Sequence, residues 1–162
     1  MRQIFAPILL LVLLFPALAF GETVKFEDLV ERERLLYKKF SDVPFTGEVT
    51  GRYQGTFKDG KRDGPWVSYH DNGQLHWKGT YKDGEWDGPW VNYWDNGQLQ
   101  SKKIYKNGKL DGPSVWYYDN GQLIYKGTYK NWKREGPWVE YNIDGTLNEE
   151  RSGTFKDGVK VK

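Results

Sequence analysis

The side chains able to do chemistry are few in kind. The chain has no cysteine, and its only histidines, His70 and His76, flank the loop Asp71-Asn72-Gly73. Side by side they suggest a pair of metal ligands, but a zinc-type centre needs at least a third donor in defined geometry. The pair also fails to recur, since Trp94 and Gln100 stand where a repeat would bring it back. We read two solvated histidines, with no metal site and no cofactor. The carboxylates Asp59, Asp63, Asp83, Asp87, Asp95, Asp111 and Asp119 sit beside glycines in turn-like segments, where they accept backbone hydrogen bonds. A glycosidase would need two of them facing each other across a cleft. Gly64, Gly88, Gly112 and Gly136 each precede a proline or a strand rather than a helix, so they make no phosphate cradle. The expectation is a protein that is not an enzyme.

What remains is aromatic. Phe, Trp and Tyr make up 17% of the 162 residues, against a single methionine, so burial in this chain has to come from rings. Lys and Arg total 24 against 22 Asp and Glu, a net charge of +2. The charges are interleaved, as in Lys58-Asp59-Gly60-Lys61-Arg62-Asp63, rather than gathered into a patch that could follow phosphates. Nucleic acid is therefore not an expected partner.

The elements that position these rings come from an internal repeat. Asp63-Gly64-Pro65-Trp66 returns at Asp87, as Asp111-Gly112-Pro113-Ser114 and as Glu135-Gly136-Pro137-Trp138, a step of 24 residues each time (87 − 63 = 24). A second marker, Asp71-Asn72-Gly73-Gln74-Leu75, keeps the same step and places turn glycines at Gly73, Gly97, Gly121 and Gly145. A third, Gly55-Thr56-Phe57-Lys58-Asp59-Gly60, recurs at Gly79, Gly127 and Gly153. Both turn signals are of hairpin type, and the runs between them alternate as strands do. Each unit is thus a β-hairpin. The fold class expected is all-β, an extended, twisted antiparallel meander of stacked hairpins.

Four such units begin near residue 63, preceded by a half-unit, and the repeat domain spans 44–162. Residues 22–43 form an N-terminal capping segment in which Phe26 to Val30 predicts a short helix. After it, Leu35 to Phe40 and Phe45 to Val49 predict an opening strand pair, with one helix from Phe26 to Phe40 as the alternative. Residues 1–21 have the outline of a signal peptide: Arg2, an apolar run from Ile4 to Leu14, and a small-residue site at Ala17 and Ala19. Cleavage is expected after Ala19 or Gly21, and the protein is expected to be exported, periplasmic or extracellular.

Loop length sets which faces coincide. With a three-residue loop held by Gly73, Tyr69 pairs with Leu75 and Val67 with Trp77. Val67, Tyr69, Leu75, Trp77 and Tyr81 then share one face, and Ser68, His70, Gln74, His76, Lys78 and Thr80 the other. A two-residue loop would place Lys78 beside Val67 and mix the sets, so the first register is preferred. Opposite the Val/Tyr/Leu stripe lie Trp66, Trp90, Trp94, Trp116, Tyr118 and Trp138, the candidate ligand-contacting residues. In the third unit Ser114 loses the ring while Trp116 gains one on the same face. Two readings stay open. Either the rings cover glycines of neighbouring strands or pack a second layer, or they form an open row suited to stacking on sugars or on a partner's apolar side chains.

These motifs resemble the bacterial variant of the MORN repeat found in YwqK-like proteins, some of them described as antitoxins. The resemblance rests on Gly64, Trp66, Tyr69, Asn72, Gly73, Leu75, Tyr81, Lys82 and Gly84 with their copies, and on the opening Pro44-Phe45-Thr46-Gly47. It covers roughly residues 44–158. Departures are Ser114 and Lys103 in the third unit and Trp132 in the fourth. The resemblance implies the fold and brings no settled activity. The function expected is an exported, non-enzymatic scaffold for protein–protein interaction, whose partner is a protein or an envelope glycan. The alternatives are a glycan or cell-wall binding module and, more remotely, immunity against an exported toxin. Membrane lipid is not expected, because the near-neutral chain lacks a basic amphipathic helix.

Overall fold

In the computed structural model, residues 21–162 are described; the expected export signal over residues 1–21 lies almost wholly outside them. Alternating strand patterns and glycine-bearing turns produce fifteen strands among these residues. They are β1 (Glu22–Lys25), β2 (Leu29–Arg32), β3 (Leu35–Lys38), β4 (Gly47–Thr50), β5 (Tyr53–Lys58), β6 (Lys61–Tyr69), β7 (Leu75–Lys82) and β8 (Glu85–Trp86). There follow β9 (Gly88–Tyr93), β10 (Leu99–Lys106), β11 (Lys109–Tyr117), β12 (Leu123–Lys130), β13 (Lys133–Glu140), β14 (Gly153–Lys156) and β15 (Val159–Lys160). From β4 onward the sheet is an antiparallel meander in sequence order, with the short β8 pairing β7 and with β1 added in parallel against β4.

The N-terminal segment differs from its expected form. The helix is a single 3-10 turn, Phe26–Asp28, and Leu29–Arg32 continues as a strand. Leu35–Lys38 pairs with that strand and forms no strand pair with Phe45 to Val49, although Tyr37 bridges to Pro44 just before it. The hairpin is docked by Leu36 and Gly60, whose N–H and carbonyl bond at 2.9 Å, and by Phe45 N–H donating to Leu36 O at 2.8 Å. Leu29, Phe45, Val49 and Phe57 are buried together there.

Each Asn-Gly loop is closed in the same way. In the first, His70 N–H donates to Gln74 O, Gly73 N–H to His70 O, and Gln74 N–H to the Asn72 side chain. Gly73, Gly97, Gly121 and Gly145 all take φ between +81° and +85°, and at Gly97 this left-handed turn is what lets the loop return after three residues.

The register then departs from the preferred reading. Tyr69 does pair with Leu75, but the next pair is Ser68 with Trp77, so His76 is an extra residue on its strand. Gln100 and Ile124 are extra at the equivalent places in the next two hairpins. Such a bulge moves everything beyond it by one residue and therefore to the other face. Val67 lies opposite Lys78 rather than Trp77, and Trp66 opposite Gly79. Trp77 and Tyr81 thus join Trp66 and Ser68, while Lys78 and Thr80 join Val67, Tyr69 and Leu75.

Candidate functional site

The bulges leave the sheet with two unlike faces. On the aromatic face, each tryptophan lies over the glycine eleven positions before it: Trp66 over Gly55, Trp90 over Gly79, Trp138 over Gly127. A β-carbon at any of these glycines would overlap the indole. The indole N–H of Trp66 donates to Thr56 O at 3.1 Å and that of Trp138 to Thr128 O at 3.0 Å. The remaining edges are closed by the next rings, with Phe57 and Tyr81 edge-on to Trp66, and Tyr129 and Phe155 edge-on to Trp138. A cap sits above: Arg62 stacks over Trp66 at 4.9 Å and Arg134 over Trp138 at 4.5 Å, while Trp86 fills that role for Trp90.

An open row of tryptophans is therefore not what the structure contains. Trp66, Trp138 and Trp90 are 1%, 2% and 8% exposed and belong to the core, each laid over a glycine of its own sheet. Trp94, Trp116 and Tyr118 are half-buried. Trp94 is tied down by its indole N–H, which donates to Tyr117 O at 3.2 Å.

The third unit keeps this packing by exchange. Ser114 stands where tryptophan is expected and Lys103 where glycine is, and the two are direct cross-strand partners. The larger side chain now starts from the other strand. Lys103 lies across the site with its ammonium 4.2 Å from the centre of the Trp116 ring, Ser114 is buried beneath, and burial lowers the Lys103 pKa.

The histidines come together, ring centres 4.3 Å apart, with His70 Nε2 3.0 Å from Tyr93 O. Burial first, then His70 and Arg52, lower the His76 pKa. Among the described residues no group of three or more His, Cys, Asp or Glu could hold a metal ion. The carboxylates of the repeat motif act within their units. Asp63, Asp87, Asp111 and Glu135 accept the backbone N–H of Asp83, Asn107, Asn131 and Asp157 respectively, at the tip of the following hairpin.

The opposite face carries the Val/Tyr/Leu stripe, joined by lysines that sequence reasoning placed on the other side. Across the strands runs the row Val67, Lys78, Val91, Lys102, Val115, Lys126, Val139, each a direct partner of the next. Beside it runs the row of exposed prolines Pro65, Pro89, Pro113 and Pro137, and on the other side the pairs Tyr69–Leu75, Tyr93–Leu99 and Tyr117–Leu123. Lys78, Lys102 and Lys126 are exposed, and none makes an ion pair among the described residues. Over β10 to β13 this face holds a groove of about 750 Å³. The valines and the lysines each keep the 24-residue step, which was visible in the sequence; what hid their union was the bulge.

No curated protein matches the chain. Residues 62–83, 86–107 and 110–131 match the MORN repeat variant. These segments coincide with the first three hairpin units and with the rows on both faces, so over residues 62–131 the chain is similar to the MORN repeat variant.

Proposed function

We propose that the protein is an exported, non-enzymatic scaffold of the YwqK-like kind that engages a protein partner through its valine–lysine face. The observation that carries this reading is the division of labour between faces: the aromatic side is consumed by the core, and the other side leaves a repeating apolar surface open. Exposed Pro65, Pro89, Pro113 and Pro137 beside half-buried valines make a contiguous apolar patch, which a monomeric protein seldom shows without use. The glycan reading loses its platform, since Trp66, Trp90 and Trp138 offer no free ring face to a sugar.

The test is capture from an envelope fraction by the mature chain and by the double variant Val91→Glu/Val115→Glu. Both positions are half-exposed, so the variant should keep the wild-type denaturant midpoint while losing the captured protein. Undiminished capture by a folded variant would refute the assignment of this face.

A further inference from the structure

We infer that the valine–lysine row receives an acidic, amphipathic helix of the protein partner, laid across the strands with a carboxylate at every seventh residue. The inference rests on the function proposed above and names the chemistry of that partner.

Lys78, Lys102 and Lys126 stand two strands apart each time, with Val91 and Val115 midway between them. Two strand spacings amount to about 10 Å. A helix rises about 10.5 Å over seven residues, so acids at i, i+7 and i+14 meet the three lysines in turn. Apolar residues at i+3 or i+4 then fall about 5 Å further along, over the intervening valines. The rotation of such a stripe, roughly 20° per heptad, stays small over two heptads.

An extended segment fails the same test. Its side chains return to one face every second residue, giving steps of about 6.7 or 13 Å, and neither matches the lysines. The lysines are solvated, without an acidic neighbour at ion-pair distance among the described residues, and set among apolar side chains that would exclude water once covered. The groove over β10 to β13, lined by Lys102, Ile104, Pro113, Val115, Lys126 and Val139, is the seat for the central turns of the helix.

The test uses the intact mature chain and two synthetic peptides of equal composition, helical in solution. One carries Glu at every seventh position with Leu at i+3 and i+4, the other carries Glu at every fifth. Fluorescence anisotropy should show binding of the heptad peptide only, weakening as salt rises. Lys78→Glu/Lys102→Glu/Lys126→Glu should weaken it by roughly tenfold or more, and a peptide with Lys in place of Glu should bind that variant instead. Equal binding of the two peptides, or binding indifferent to the charge reversal, would overturn the inference. So would capture of phosphatidylglycerol vesicles or of an anionic polysaccharide through the same lysines when the peptide does not bind. If the peptide fails while Val91→Glu/Val115→Glu still abolishes partner capture, the helix is wrong and the binding face stands.

Discussion

Trp90 lies against the α-carbon of Gly79 so closely that a β-carbon there would overlap its six-membered ring. Gly79 does not take positive φ, so its role is to leave room rather than to turn the chain. Gly79→Ala should cost about 1–3 kcal/mol by forcing the indole off its seat. Trp90→Ala should cost roughly 3–5 kcal/mol, the range for an emptied aromatic site. Urea titration of both variants checks this, and near-neutral values would place Trp90 outside the core.

The exchange of Trp and Gly for Ser114 and Lys103 predicts strong coupling between these two positions. Ser114→Trp alone sets an indole on the lysine stem, and Lys103→Gly alone uncovers buried Ser114. The double variant restores the arrangement of the other units and should be more stable than the two single losses imply, by about 0.5–3 kcal/mol. A double-mutant cycle from denaturant midpoints measures it, and simple additivity would contradict the packing described.

The stacked histidines predict a pH dependence of stability. The folded-state pKa of His76 is lowered, by burial first and then by His70 and Arg52, so the unfolded chain holds its proton more tightly. Stability contributed here is complete above the ordinary value of 6.5 and declines as pH falls below it toward the lowered folded value. Arg52 is itself held beside Asp71 at 2.7 Å. The fall in Tm between pH 7.5 and pH 5.5 should shrink in His76→Gln, which installs the residue found at the equivalent Gln100. An unchanged difference would show that His76 contributes nothing to it.

Units are also tied together along the loop edge. Asn96 accepts Gln98 N–H at 2.9 Å within its own loop and donates to Asp119 O, at 2.9 Å, in the next. Asn96→Ala removes both bonds and should destabilise by about 1–2 kcal/mol. Asn120, which closes its own loop in the same manner, provides the comparison. Equal small effects in a thermal melt would mean that the bond between loops carries little.

Much of the fold was legible because the repeat writes it out: the 24-residue step, the turn glycines at Gly73, Gly97 and Gly121, and the alternating strands. The face assignment was not, because His76, Gln100 and Ile124 share no side-chain chemistry that announces an extra residue in a strand. A bulge is a backbone event, and one unread residue sent Trp77 and Lys78 to the wrong sides. The tryptophans were found, and so was the covering of glycines as one of their two readings. Choosing between the readings required the strand order that brings Gly55, Gly79 and Gly127 beneath them. In the N-terminal segment, the apolar spacing of Phe26, Leu29 and Val30 suits a helix, yet Leu29 and Val30 pair with Lys38 and Tyr37 instead. Tertiary packing decided that element.

The proposed function requires the two faces to have opposite roles, which face-resolved photo-crosslinking measures. A photoreactive residue is placed at Thr80 or Thr128 on the valine–lysine face, and in parallel at Asn92 on the aromatic face, in the mature chain exposed to an envelope fraction. Crosslinked partner should form from Thr80 and Thr128 and be absent from Asn92. Partner crosslinked from Asn92 alone would contradict the assignment and return function to the aromatic side.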